Sequence, residues 1–155
     1  MTNIISDKNL KNDNLISKKE LEQLLKSENS KVYEVIRIIN SKPLFLHEHV
    51  SRFNKSIKLI GLNKKYEYNE ILSMINKIVE KNKINNNNIR MTYFYDSEHV
   101  LLIYFIKSKY PEKEIYIKGI KTITVRKSRK YPNIKIDEKK LRANIDEILK
   151  EKNVF

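Results

Sequence analysis

The stretch VYEVIRIINSKPLFLHEHVSRFNKSIKLIG, residues 32–61, decides the fold. Val32, Tyr33, Val35, Ile36, Ile38 and Ile39 are β-branched or aromatic, so residues 32–39 read as a strand. Asn40-Ser41-Lys42-Pro43 then breaks it as a turn. The short apolar run Leu44-Phe45-Leu46 is expected to return as a second strand, which makes a hairpin. From Leu46 the period changes. Leu46, Val50, Phe53, Ile57 and Ile60 recur at spacings of four, three, four and three, the mark of one helical face over residues 46–60. Gly61 stands where a glycine C-cap belongs.

Working outward, Asn69 is the expected N-cap of a second helix over 69–82, with Ile71, Leu72, Ile75, Ile78 and Val79 on its apolar side. Residues 89–95 and 100–106 flank Asp96-Ser97-Glu98-His99 and are expected to pair as an antiparallel hairpin. Residues 115–117 and 120–125 are further strand candidates. Toward the N-terminus, Ser17 and Glu20 fit a capping box that opens a short helix ending near Lys26, preceded by an aperiodic polar leader over residues 1–15. Toward the other end, residues 127–132 lack an apolar period, and residues 138–152 carry Leu141, Ile145, Ile148 and Leu149 at helical spacing. The order strand-strand-helix-helix-strand-strand-strand predicts an α+β fold: a two-layer domain with two helices packed on one face of an antiparallel sheet.

Composition excludes several chemistries. The chain has 155 residues, 40% of them hydrophobic, which is enough for one continuous core. It has no Cys, hence no disulfide framework, no thiolate nucleophile and no Cys-based zinc site, and no metal-ligand set is expected. No signal-peptide core and no apolar run of membrane-spanning length is present, so the expectation is a cytoplasmic protein without membrane contact. The formal charge of +13 needs discounting. Lys, Ile and Asn, whose codons can be built from A and T alone, account for 67 of the 155 residues, so a base-composition bias raises lysine by itself. Residues 1–106 carry 17 basic and 12 acidic side chains and residues 107–155 carry 15 and 7, which concentrates the excess toward the C-terminus. Lys outnumbers Arg 26 to 6 and no nucleic-acid motif is present, so nucleic acid is not the expected partner.

Two places invite chemistry. His49, Arg52 and Ser56 fall at i, i+3 and i+7 and share a stripe beside the apolar face of the 46–60 helix. Such a stripe can present a guanidinium to a phosphate; equally it is a packed boundary, and spacing alone favours that second reading. Lys135 is one of 26 lysines. It follows Tyr131-Pro132-Asn133-Ile134, whose proline sets an extended entry, and it precedes a helix. A lysine at such a junction can sit in a dry cleft where desolvation makes its amine nucleophilic, although an arbitrary lysine is solvated surface.

Resemblance shifts these weights. Val32-Tyr33-Glu34-Val35-Ile36-Arg37, then Pro43-Leu44-Phe45-Leu46-His47-Glu48-His49-Val50-Ser51-Arg52-Phe53 with Ser56, resembles the N-terminal signature of the class IV aminotransferases. This is the fold-type-IV pyridoxal-phosphate family of branched-chain and D-amino-acid aminotransferases and aminodeoxychorismate lyase. Its strand pattern V-Y/F-E-x-x-R is followed by H-x-x-R-L-x-x-S-A; here Phe53 stands for Leu and Ile57 for Ala. Arg129-Lys130-Tyr131-Pro132-Asn133-Ile134-Lys135 is similar to the family's R-x-x-P-x-x-K. The resemblance implies that Lys135 is the catalytic lysine and holds pyridoxal 5′-phosphate, that Arg52 binds the cofactor phosphate, that Tyr33 lines the substrate pocket and that Arg90 faces a substrate carboxylate. It further implies amino-group transfer between an amino acid and a 2-oxo acid, or a related lyase reaction, in a homodimer.

The sequence also departs from the family pattern. Ser41 replaces the usual turn glycine, and Ser27-Glu28-Asn29-Ser30 replaces the G-D-G that precedes the first strand. The family chain continues well past Phe155. The expected organisation is therefore a polar leader and short helix over 1–28, a small N-terminal α+β domain over 29–125, and over 126–155 a linker and the first helix of a truncated, cofactor-binding large domain, with the chain inactive by itself. The alternative is a non-enzymatic basic module that keeps the N-terminal fold and binds an acidic partner.

Overall fold

In a computed structural model, which describes residues 3–26, 30–96, 98–129, 131–136 and 139–152, the elements in chain order are β1 (Lys8–Lys11), β2 (Asn14–Ser17), α1 (Lys18–Leu25), β3 (Lys31–Ile39), β4 (Lys42–Pro43), α2 (Leu46–Leu59), α3 (Tyr68–Asn82), β5 (Asn87–Phe94), β6 (Val100–Ile106), α4 (Lys113–Lys118) and α5 (Lys139–Glu151). The six strands form one antiparallel sheet in the order β2-β1-β6-β5-β3-β4. The fold is α+β, as expected.

Strand periodicity divides the side chains between two faces. Along β6, Leu101, Ile103 and Phe105 enter the main core, while Val100, Leu102 and Tyr104 enter a smaller cluster on the other side. A central strand buried on both faces reads as an unbroken apolar run, which VLLIYFI is. The main core is closed by α2 and α3, whose Val50, Phe53, Ile57, Ile71, Ile75 and Ile78 are buried against Val32, Ile36, Ile38, Ile89 and Met91. Helix α1 covers part of the opposite face with Leu21.

The capping box of α1 forms as read: Glu20 N donates to Ser17 Oγ, and Ser17 N donates to Glu20 Oε2 at 2.7 Å. The end of α2 is a Schellman motif, with Gly61 N donating to Lys58 O and Leu62 N to Ile57 O, and Gly61 at φ +86°. Helix α3 starts earlier than expected, with Glu67 rather than Asn69 as N-cap in a capping box with Glu70.

Three expectations are corrected. The second half of the stretch 1–15, read as leader, enters the β1–β2 hairpin over residues 8–17, because β6 offers β1 a pairing edge that no local pattern announces. The return strand after the first turn is confined to Lys42–Pro43. Phe45, at φ +50°, ends the extended run, and Leu46 already belongs to α2. Finally, residues 115–117 lie in α4 and residues 120–125 form no strand. Among the described residues no sheet edge receives them, and Tyr116 and Ile117 stay exposed. The expected helix start at 138, the residues 27–29 that stand for G-D-G, Ser97, Lys130 and the tail 153–155 lie outside the described residues.

A candidate active site at the edge of β3

Beyond the two residues that pair with β4, no further strand among the described residues covers this side of β3. The segment 134–136 occupies part of it: Tyr33 N donates to Lys135 O at 3.0 Å, and Val32 and Ile136 form an antiparallel bridge. Ile134 is buried in the main core, so the segment is anchored on both sides of Lys135. The result brings the two sequence motifs into contact through Val32 and Ile136, which lie 104 positions apart in the chain.

At the centre lies Glu34. It has the inward phase of Val32, Ile36 and Ile38, and its side chain is fully buried. A carboxylate so placed must be paired. Arg52 donates from Nε to Oε1 and from Nη2 to Oε2, both at 2.6 Å, in a side-on fork. His49 Nδ1, the donor in the tautomer that this contact selects, lies 2.9 Å from Oε2. Lys135 Nζ lies 3.6 Å from Oε2, an ion pair longer than a hydrogen bond. The stripe 49-52-56 on α2 thus faces the rim of the sheet: Ser56 is buried with Oγ donating to Arg52 O, and half of the Arg52 side chain remains exposed.

On the other phase of β3, the Tyr33 ring carries Arg90 at 4.2 Å from guanidinium carbon to ring centroid and Lys135 Nζ at 5.4 Å. Arg90 pairs in register with Val35, which makes it the diagonal neighbour of Tyr33. Lys135, reaching around the strand edge, therefore touches groups on both faces.

The electrostatics follow from this crowding. Burial pushes the Glu34 carboxyl up, but the hydrogen bonds from Arg52 and His49 and the charges of Lys135 and Arg52 outweigh it and hold the group at about 2. For Lys135, burial lowers the amine from its usual value and the charges of Arg52 and Arg90 lower it further, while Glu34 opposes them. Arg52 and Lys135 flank one carboxylate, and Arg90 lies close to the same lysine over the Tyr33 ring, so three cations stand against one acid and the strand edge carries a net positive charge. An anion, and a phosphate in particular, complements it.

The structure brings Lys135, Arg52, Tyr33 and Arg90 to one place. Sequence reasoning assigned no role to Glu34, because both phases of the strand carry apolar residues and the core-facing register of this acid is fixed only by the structure. Among the described residues, no group of three or more His, Asp or Glu is placed to hold a metal ion, and no helix is long and apolar enough to cross a membrane.

Comparison with known proteins agrees with the motif reading. The model of the family described as Amino-transferase class IV matches residues 31–153, and the chain belongs to that family. A D-alanine aminotransferase of Staphylococcus aureus is 38% identical over 53 residues, 34% of this chain and 19% of the relative. Among solved structures, a putative 4-amino-4-deoxychorismate lyase from Legionella pneumophila superposes with a TM-score of 0.60 at 17% identity, covering 76% of this chain and 47% of the other. The branched-chain amino acid aminotransferase of Escherichia coli gives 0.56 at 16%, covering 67% and 42%. A further branched-chain amino acid aminotransferase, solved with pyridoxamine 5′-phosphate, gives 0.56 at 19%, covering 72% and 43%. The matched region spans a fifth of the curated relative and less than half of the solved structures. At these identities the structural likeness establishes the fold.

Proposed function

We propose that this chain supplies the lysine and part of the phosphate and substrate contacts of a pyridoxal-phosphate enzyme that transfers an amino group between an amino acid and a 2-oxo acid. The observation that carries the reading is the meeting of Lys135 with Glu34, Arg52 and Tyr33 at one strand edge. Family membership and the pyridoxamine phosphate of a solved relative support the cofactor. So does the donor set, since Arg52 and Lys135 on one carboxylate, with Arg90 close by over the Tyr33 ring, leave an excess of positive charge that suits an anionic phosphate.

Pyridoxal phosphate, when bound, supplies an aldehyde that reacts with amines and a conjugated ring that takes up the electron pair left behind when a substrate α-proton departs. The chain's own contributions are separable. The Nε–Nη2 edge of Arg52 is committed to Glu34, so the opposite edge is left to meet a phosphate. Lys135 offers an amine that partial desolvation makes easier to deprotonate, the state needed both for attack and for carrying a proton. Tyr33 lines the place where substrate enters, and Arg90, stacked on it, answers a substrate carboxylate. The family resemblance extends the reading to a homodimer.

The test is borohydride reduction of the full-length protein in the presence of pyridoxal phosphate, followed by peptide mapping. The expected label is on Lys135. Arg52→Ala is expected to weaken cofactor affinity by about 1.5–3 kcal/mol, the worth of a hydrogen bond to a charged group. A label on another lysine refutes the assignment of Lys135.

A further inference from the structure

We propose that Glu34 is the positioning residue of this site: its buried carboxylate fixes the Arg52 guanidinium rigidly and holds the Lys135 amine by a weaker contact that can be released without disturbing the arginine. The inference rests on taking Lys135 and Arg52 as the working groups, as above.

The contacts form a hierarchy. Oε1 is taken by Arg52 Nε and Oε2 by Arg52 Nη2, both at 2.6 Å, with His49 Nδ1 also on Oε2 at 2.9 Å. Lys135 Nζ is left with Oε2 at 3.6 Å. Short charge-assisted hydrogen bonds with a matched fork hold strongly, whereas a longer ion pair constrains direction less. Nor does the amine need Glu34 to stay near the site. Its main chain is tied to Tyr33 N, Ile134 is buried beside it, and the Tyr33 ring offers it a second resting place.

Packing alone does not call for a carboxylate here. The neighbouring inward positions are Val32 and Ile36, and an apolar residue would fill this one without the cost of desolvating a charge. What the carboxylate adds is control of two cations at once. It turns one edge of the Arg52 fork inward, and it offsets the repulsion that Arg52 and Arg90 exert on the Lys135 amine. The groups facing that amine are Glu34 and Tyr33 from β3, Arg52 from α2 and Arg90 from β5, with His49 of α2 facing Glu34 itself.

Competitive acetylation of the full chain across a pH series, read lysine by lysine by peptide mass spectrometry, tests this without any cofactor. In Glu34→Gln, Lys135 is expected to become reactive at lower pH, with its rate at a fixed pH below its midpoint rising on the order of tenfold, because an opposite charge has been removed at close range. Exposed Lys58 serves as the unchanged internal standard. Arg52→Gln is expected to act in the opposite direction, since it removes a competing cation and frees both carboxylate oxygens for the amine. Glu34→Asp, which keeps the charge, should restore part of the wild-type profile. An unchanged Lys135 profile in a folded Glu34→Gln chain overturns the proposal. So does a shift of Arg52→Gln in the same direction as Glu34→Gln, and this second arm decides the matter if Glu34→Gln does not fold. Because no pyridoxal phosphate is used, these outcomes are independent of the borohydride labelling that tests the functional reading.

Discussion

Acid should weaken this fold through Glu34 in a narrow and measurable window. The folded chain holds that carboxyl at about 2, against 4.5 for the ordinary group. The folded-state value is the depressed one, so the unfolded chain binds the proton more readily. The resulting stabilisation is complete above pH 4.5 and is lost as the pH falls from there toward 2. Its size follows from the gap, on the order of 3 kcal/mol. The assay is urea unfolding followed by far-ultraviolet circular dichroism at pH 6, 4, 3 and 2, on the wild-type chain and on Glu34→Gln. Glutamine fills the same space and does not titrate, and the other carboxyl groups cancel when the two chains are compared. At pH 6 the wild type should be more stable, and most of the difference should disappear by pH 2. A difference that stays constant over the whole range refutes the reasoning, for it would mean that the Arg52 and His49 contacts do not distinguish the ionised carboxylate from a neutral side chain.

Phe53 has no exposed surface and lies 5.9 Å from the Tyr66 ring and 6.5 Å from that of Tyr93. Phe53→Ala should therefore cost about 3–5 kcal/mol in the same unfolding assay, and a loss below about 1 kcal/mol would show that the helix face is misassigned. Gly61→Ala should cost about 1–2 kcal/mol, because nothing crowds an added Cβ there and the whole penalty comes from the left-handed φ of +86°; Gly61→Asn should cost less, and equal losses would contradict the backbone argument. Ser17→Ala removes the side-chain cap of α1 and should cost roughly 1 kcal/mol. Faster hydrogen exchange confined to the α1 amides is the sign to look for.

The parts of the fold that were legible in the sequence are those whose signal is local. The stripe Leu46, Val50, Phe53 and Ile57 marks α2 because a helix repeats its neighbours every turn, and Ser17 with Glu20 marks the start of α1 because a capping box lies within a single turn. The hairpin of β5 and β6 announces itself through two apolar runs with a polar turn. By contrast, β1 contributes few inward residues, chiefly Leu10, and owes its extended form to pairing with Leu102 and Ile103 far along the chain. Ile115 and Ile117 illustrate the converse: β-branched residues favour a strand only when an edge is there to receive it. At the site, the motifs marked Arg52 and Lys135 separately. That they share a carboxylate depends on which side of β3 Glu34 faces, and this becomes readable only when Val32, Ile36 and Ile38 are known to be core.

The pairing of residues 134–136 with β3 also bears on the order in which the molecule is assembled. Translation completes β3 about a hundred residues before Ile136 exists, and closing a loop of that length is entropically slow to reward. Until then the open stretch around Val32 and Tyr33 presents unpaired backbone groups beside an apolar face, the kind of template on which chains aggregate. In the nascent protein, then, the segment that delivers Lys135 to the site is also the one that shields this edge. A release of that segment therefore uncovers this edge of β3 at the same moment.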